Sequence, residues 1–110
     1  MTPTPTTPAN EVRLTGRLAA DPVTTVLPSG DAVTTFRLVV PRGPGDRQPP
    51  SVDTVDCAVW RSGARRRVSG WGVGDQVEVH GALRRRFWRG PAGPRSRYEV
   101  EVRQARRQRA

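Results

Sequence analysis

Trp60 and Trp88 are the residues of this sequence whose type and placement point most directly to a ligand. Strand alternation places both rings outside the core, and Trp88 lies beside a basic run that contains Arg84, Arg86 and Arg89. An exposed indole ring stacks on other flat rings, and a guanidinium group pairs with phosphate or carboxylate oxygens. Together they predict a surface for a ligand that combines flat rings with negative charge.

Catalytic and metal-binding patterns are missing from the sequence. With a single cysteine, Cys57, and a single histidine, His80, the chain has no internal disulfide and no cluster with zinc-ligand spacing. The glycines at 70, 72 and 74 precede a predicted strand and no lysine follows them, so the dinucleotide and phosphate-loop patterns fail on context. There is no G-x-S-x-G nucleophile turn. We therefore expect a protein that is not an enzyme and holds neither a metal nor a cofactor.

The charge balance favours a polyanionic partner. The 110 residues include 19 basic ones, all arginine, against 10 acidic ones, which gives a formal net charge of +9. The excess lies in the second half of the chain, because residues 1–55 carry equal numbers of arginines and acids. Charge alone does not distinguish between three kinds of partner, namely acidic substrates, nucleic acid and anionic membranes. Residues 1–9 have neither the basic region nor the apolar region that is typical of a secretory leader, and no apolar run reaches bilayer length. We therefore expect no membrane partner and a cytoplasmic protein.

One domain is predicted between two short terminal segments, since the length fits a single core. Residues 1–9 are rich in threonine and proline and predict a flexible arm. Residues 10–103 form the domain, and residues 104–110 a short basic tail.

Period-two alternation predicts the strands of this domain. The first has Val12, Leu14, Gly16 and Leu18 on its inner face, and residues 23–27 and 32–40 form a hairpin around Pro28-Ser29-Gly30. Residues 41–51 are rich in proline and glycine and predict an exposed loop. Residues 52–60 form a strand with Cys57 in the core and Ala58 and Trp60 outside it.

A short helix separates this strand from the last two. Ala64, Val68 and Trp71 follow helical spacing within residues 61–74, with Trp71 expected to cover the end of the barrel. The last strands are residues 76–87 and 96–103, with Leu83 and Tyr98 expected to face the core, as Phe36 is expected to do from the earlier hairpin. Five barrel strands with one short helix between the third and fourth is the element order of an OB-fold, an all-β Greek-key barrel.

Short motifs stand in a fixed order between residues 10 and 103. They are Asn10-x-Val12-x-Leu14-x-Gly16-x-Leu18, Asp21-Pro22, Pro28-Ser29-Gly30, Phe36-Arg37-Leu38, Gly74-Asp75-Gln76-Val77-x-Val79-x-Gly81-x-Leu83-Arg84, Arg86-x-Trp88 and Arg97-Tyr98-x-x-Glu101-Val102. No single motif is specific, but their collinear order over most of the chain resembles the bacterial single-stranded DNA-binding protein family.

The resemblance implies an OB-fold subunit that binds single-stranded DNA without strong sequence preference, in replication, recombination or repair. It puts Trp60 and Trp88 at base-stacking positions, and it implies a homo-oligomer, with a tetramer favoured over a dimer. We expect such a protein in the cytoplasm, associated with the nucleoid. The candidate DNA-binding residues are Trp60, Trp88, Arg84, Arg86, Arg89, Arg37, Arg13, Arg17, Arg97 and Thr54.

The sequence departs from the family pattern at four places. The proline-rich loop at residues 41–51 has no aromatic residue, although the family commonly has one there. Thr54 stands where the family commonly has an aromatic residue, and Asp56 stands where a basic residue is usual. The sequence given ends at Ala110 after a basic stretch, without the long flexible tail and acidic tip of the family. We expect a short paralogue that coats DNA without recruiting repair proteins through such a tip.

Two alternatives keep the fold and change the role. The smaller number of aromatic residues at the family's positions, together with the missing tail, favours a primosome-type adaptor that bridges proteins on DNA. An RNA-binding OB module is the other, because the same groove tolerates ribose.

Overall fold

Six strands and one short helix follow one another in the computed structural model, which describes residues 6–43, 45 and 51–108. Pro28-Ser29-Gly30 turns the chain between the second and third strands, and Gly30 takes the positive φ of 92° that such a turn requires. The elements are β1 (Val12–Leu18), β2 (Val23–Val26), β3 (Ala32–Pro41), β4 (Val52–Val59), α1 (Ser62–Val68), β5 (Gln76–Gly90) and β6 (Gly93–Arg107).

The strands close into a barrel. Their order in the sheet is β1-β5-β6-β4-β3-β2, and a further pairing of β1 with β3 joins the two sides. Strand β2 pairs with β3 as the predicted hairpin, which leaves five strands in the closed ring. All pairings are antiparallel except that of β4 with β6. This topology confirms the predicted OB-fold.

The inner faces of the strands supply one apolar core. Buried residues from β1, β3, β4, β5 and β6 meet there, and Val68 of α1 joins them. Trp71 is buried and packs edge-on against Phe36, with ring centroids 5.7 Å apart. The predictions that Trp71 is structural and that Phe36 and Cys57 lie in the core are confirmed. Trp71 does not belong to the helix as its spacing predicted, because α1 ends at Val68.

Cys57 provides a test of this core. Burial, with smaller contributions from the Asp56 and Glu99 carboxylates, raises the pKa of its thiol to about 12. The nucleophile that attacks a disulfide reagent is the thiolate, so the protonated, buried Cys57 of the folded protein should not be labelled at neutral pH. We expect labelling by an aromatic disulfide to follow the unfolding curve measured by circular dichroism in denaturant. Rapid labelling without denaturant would contradict the buried position.

Strands β5 and β6 extend beyond the barrel as a long hairpin. They remain paired out to Gly90 and Gly93, on either side of the turn at residues 91–92. Once the hairpin leaves the barrel, its inner face has no opposite wall, so Leu83 is 44% exposed and Tyr98 59% exposed. The prediction that these two side chains lie in the core is therefore wrong, although their strand parity is as predicted.

Two further predictions need correction. Ala58 was expected outside the core, yet it is fully buried, because its short side chain lies between the adjacent strands opposite Thr35 and Glu101. Strand β6 ends at Arg107 rather than at 103, so residues 104–107 pair with β5 instead of forming a tail. Within that stretch only Ala105 is apolar, which leaves too weak an alternation to detect.

The structure describes the terminal arm and the proline-rich loop only in part. Residues 6–9 are exposed and carry no helix or strand. The rest of the arm at residues 1–5, the loop residues 44 and 46–50, and residues 109–110 lie outside the described residues.

The pairing of β5 with β6 contains a bulge. The register shifts between His80 and Gly81. At Gly81 the chains approach so closely that a Cβ atom would overlap the carbonyl oxygen of Glu101. Only glycine permits this approach.

Candidate nucleic-acid interface

The projecting hairpin has two faces, because side chains alternate along each strand. We call one of them the front face, defined by Arg84, Arg86 and Trp88 of β5. Opposite these residues on β6 stand Glu99, Arg97 and Arg95. Strand β4 lies next to β6, and β3 next to β4, so that Asp56 and Arg37 continue this face on the barrel.

Trp60 reaches the front face from the end of β4. The guanidinium carbon of Arg86 lies 4.7 Å from the centroid of its ring, a cation–π distance. Arg86 is itself held by a hydrogen bond from its Nε to the carboxylate of Glu99, which is buried. The backbone carbonyl of Trp60 accepts a hydrogen bond from Arg65 Nε at 3.0 Å. Trp60 is half-buried, with Arg86 against its ring and Arg65 bound to its backbone carbonyl.

Trp88 lies further out on the hairpin and is 45% exposed. The guanidinium carbon of Arg97 is 5.8 Å from its ring centroid, and Arg97 Nη1 is 4.0 Å from a carboxylate oxygen of Asp56. A ring that is half open and flanked by a guanidinium group can accept a second flat ring and a negative charge together. Both tryptophans thus combine an aromatic surface with a nearby cation.

Carboxylates hold several front-face arginines in place. Arg37 Nε lies 3.2 Å from Asp56, and Arg84 Nε lies 3.3 Å from Glu101. These two pairs are exposed, and exposed ion pairs contribute about 0 to 1 kcal/mol, so a phosphate can displace the carboxylate at little cost. Arg95 and Arg89, near the tip, have no carboxylate partner among the described residues.

Some candidate residues lie away from the front face. Arg13 and Arg17 belong to β1, where they pair with His80 and Gln76 of the barrel portion of β5. Arg13 Nε is 2.6 Å from the buried carboxylate of Glu78, which also binds Arg106. Hydrogen bonds from Arg13 and then Arg106 hold the pKa of Glu78 below its ordinary value against the opposing effect of burial. Arg13 therefore has a structural role that the sequence did not indicate.

Two other candidates are peripheral. Arg89 pairs with Pro94 and stands on the opposite face of the hairpin from Trp88, near the tip. Thr54 is exposed on β4 opposite Val39, at the margin of the face that carries Asp56.

Sequence reasoning missed the buried carboxylate of Glu99 and the exposed aromatic rings of Phe87 and Tyr98. Alternation marks Glu99 as outward, but it does not reveal that Arg86 and neighbouring strands cover it. Phe87 is 72% exposed. The signal in the sequence was strand alternation, which puts the ring of Phe87 on the opposite side of the strand from Trp88.

Neither a membrane span nor a metal centre is found in the described part of the chain. None of its helices is long and apolar enough to cross a bilayer. Among the same residues no group of histidine, cysteine, aspartate and glutamate side chains is placed to hold a metal ion.

The sequence is similar to those of known proteins. Residues 9–109 match the model of the single-strand binding protein family. The chain is 36% identical over 94 residues to a single-stranded DNA-binding protein of Bacillus cereus, covering 84% of this chain and 55% of that protein. It is also 36% identical over 97 residues to single-stranded DNA-binding protein 3 of Listeria innocua, covering 84% of this chain and 58% of that one. The chain thus spans little more than half the length of these curated relatives.

A solved structure supports the fold. The single-strand binding protein of Plasmodium falciparum, in complex with single-stranded DNA, superposes with a TM-score of 0.79 at 22% identity. The match covers 96% of this chain and all of the other.

Proposed function

The chain belongs to the single-strand binding protein family, and from the geometry of its front face we propose that it binds single-stranded DNA there. One observation carries the proposal: Trp60, directly after β4, and Trp88, on β5, each lie beside an arginine of the same face, at 4.7 and 5.8 Å. Bases would stack on the two rings while phosphates replace the carboxylates on Arg37, Arg84 and Arg97.

The binding would tolerate any base sequence, and the protein would not act as an enzyme. Every base has a π-face, so stacking on an indole ring discriminates little between bases. Arginines that contact phosphates likewise carry no sequence information. We propose that the protein coats unwound strands in replication, recombination or repair, in the cytoplasm and at the nucleoid.

We also propose that the chain assembles as a homo-oligomer, with a tetramer favoured over a dimer. This proposal rests on the family resemblance. In an oligomer, one DNA strand could run along the front faces of several subunits. Light scattering coupled to size exclusion measures the mass of the particle directly.

Tryptophan fluorescence tests the proposed function. Titration with oligo-dT at low salt should quench the emission of Trp60 and Trp88, while Trp71, buried in the core, provides a constant background. Added salt should reverse the quenching. A matched RNA oligomer in competition distinguishes the RNA-binding alternative, and equal affinity for duplex DNA, or no quenching at all, would overturn the proposal.

A second candidate function is favoured by the acids of the front face. Asp56, Glu99 and Glu101 neutralise part of its positive charge, and Thr54 offers no ring for stacking. Such a face would suit an adaptor that bridges proteins and uses DNA as a guide. Stoichiometric capture of a protein partner from nuclease-treated extract, together with failure of the oligo-dT titration, would favour this role.

A further inference from the structure

The side of the hairpin opposite the front face carries a second aromatic cluster. We call it the back face, defined by Leu83, Arg85 and Phe87 of β5 with Ser96 and Tyr98 of β6. The register pairs Arg85 with Tyr98 and Phe87 with Ser96. Phe87 is 72% exposed and Tyr98 59% exposed, so two rings stand open to solvent on a structured strand pair.

Arg85 joins these rings into one surface. Its guanidinium carbon lies 5.1 Å from the centroid of Phe87 and 5.5 Å from that of Tyr98. Its Nε and Nη2 donate hydrogen bonds to the hydroxyl of Ser96 at 3.2 and 3.0 Å. The cation is thus held between two rings in advance, which lowers the entropy cost of adding a further ring or an anion.

The charge of the back face differs from that of the front face. No carboxylate stands on it within the described hairpin, and Arg85 forms no ion pair with any described residue. Arg89, on the same face near the tip, adds a second unpaired cation. The surface is therefore aromatic and positively charged, which is complementary to a ligand with flat rings and phosphates.

A second copy of this chain fits the back face less well. A symmetric contact between two identical faces brings each surface against itself. Two copies of Arg85 and Arg89 would then be buried together without a carboxylate, and burying unpaired like charges is costly.

We propose that the back face binds a second segment of single-stranded DNA, so that the hairpin contacts the strand on both sides. The proposal rests on the proposed function, since it extends the same ligand to a new surface. A strand that leaves Trp88 would cross the tip, where residues 90–93 are glycine, proline, alanine and glycine and offer little obstruction. Phe87 and Tyr98 would then stack on bases, and Arg85 would contact a phosphate.

Affinity measured as a function of oligomer length tests this proposal. One OB domain covers about 4 to 16 nucleotides, so oligo-dT lengths should span that range and exceed it. Phe87→Ala should weaken the binding of the longest oligomers at least about fivefold, because one stacked ring is lost. Its effect should vanish for the shortest oligomers, which occupy the front face alone, and Phe87→Tyr should restore wild-type affinity.

Two controls separate this result from other causes. Val73→Ala removes a similarly exposed apolar side chain outside the hairpin and should change no affinity. Photo-crosslinking with oligo-dT that contains 5-iodouracil should label Phe87 or Tyr98 as well as a front-face tryptophan, as identified by mass spectrometry.

The outcomes distinguish this proposal from the proposed function. If Trp88→Ala weakens binding while Phe87→Ala binds every length like the wild type and no back-face crosslink forms, the back-face site alone is wrong. If Phe87→Ala lowers the mass of the oligomer and gives no crosslink, the back face is a contact between copies and the proposal is overturned. If the wild type binds no single-stranded DNA, both proposals fail.

Discussion

Replacing Trp88 by alanine is expected to weaken the binding of oligo-dT by about 5- to 150-fold. The estimate follows from the roughly 1 to 3 kcal/mol that one base contributes by stacking on an aromatic side chain. Trp88 stands beyond the barrel, is 45% exposed and has Arg97 at its ring, so its loss removes a stacking surface without opening a cavity. Fluorescence anisotropy of a labelled oligomer measures the change, since the substitution also removes part of the intrinsic signal.

The matched variants make the interpretation specific. Trp88→Phe keeps a ring and should retain most of the affinity, whereas Trp60→Ala should lose affinity in the same range as Trp88→Ala. The unfolding midpoint of Trp88→Ala should equal that of the wild type, because the ring makes no core contact. An unchanged affinity in Trp88→Ala would show that the front face does not stack on bases.

The affinity for single-stranded DNA is expected to fall steeply with salt. If about five arginines contact phosphates, the slope of log K against log salt is on the order of −3.5 for single strands. A fourfold rise in salt then lowers the affinity on the order of 100-fold. The cause is the release of counterions that the phosphates hold in free DNA.

Single arginine variants test which groups produce this slope. Arg84→Gln should make the slope shallower by roughly 0.7, the contribution of one phosphate contact on a single strand. Arg66→Gln, on the exposed surface of α1, is the control and should leave the slope as it is. A salt-independent affinity would remove phosphate contacts from the mechanism, and an equal effect of both variants would mean that binding is not confined to the hairpin.

The front and back faces differ in how their arginines are held. On the front face Arg37, Arg84, Arg86 and Arg97 are oriented by Asp56, Glu99 and Glu101, so DNA must replace existing ion pairs there. On the back face Arg85 is oriented by two rings and a serine hydroxyl. The front-face arginines are therefore held in position, but neighbouring carboxylates cancel part of their charge. On the back face no carboxylate competes with a phosphate for Arg85.

The order of the elements and most of the core could be predicted from the amino-acid sequence. Alternation of period two located the barrel strands, and it assigned Cys57 and Phe36 to the interior, because the side of a strand on which a residue lies follows from local geometry. The same rule put Arg84, Arg86 and Trp88 on one face of the hairpin. The turn at Gly30 was equally local.

The contacts that each of these faces makes depend on how the strands pack, and they could not be predicted from one strand at a time. Leu83 and Tyr98 lie on the inward side of their strands, yet they are exposed because the hairpin extends beyond the barrel wall that would have covered them. Ala58 and Glu99 have outward parity, yet neighbouring side chains bury them. That Trp60 lies against Arg86, and that Arg13 is engaged by Glu78, depends on strand order in the closed sheet. Parity is set within one strand, whereas burial and contact are set by the strands that pack against it.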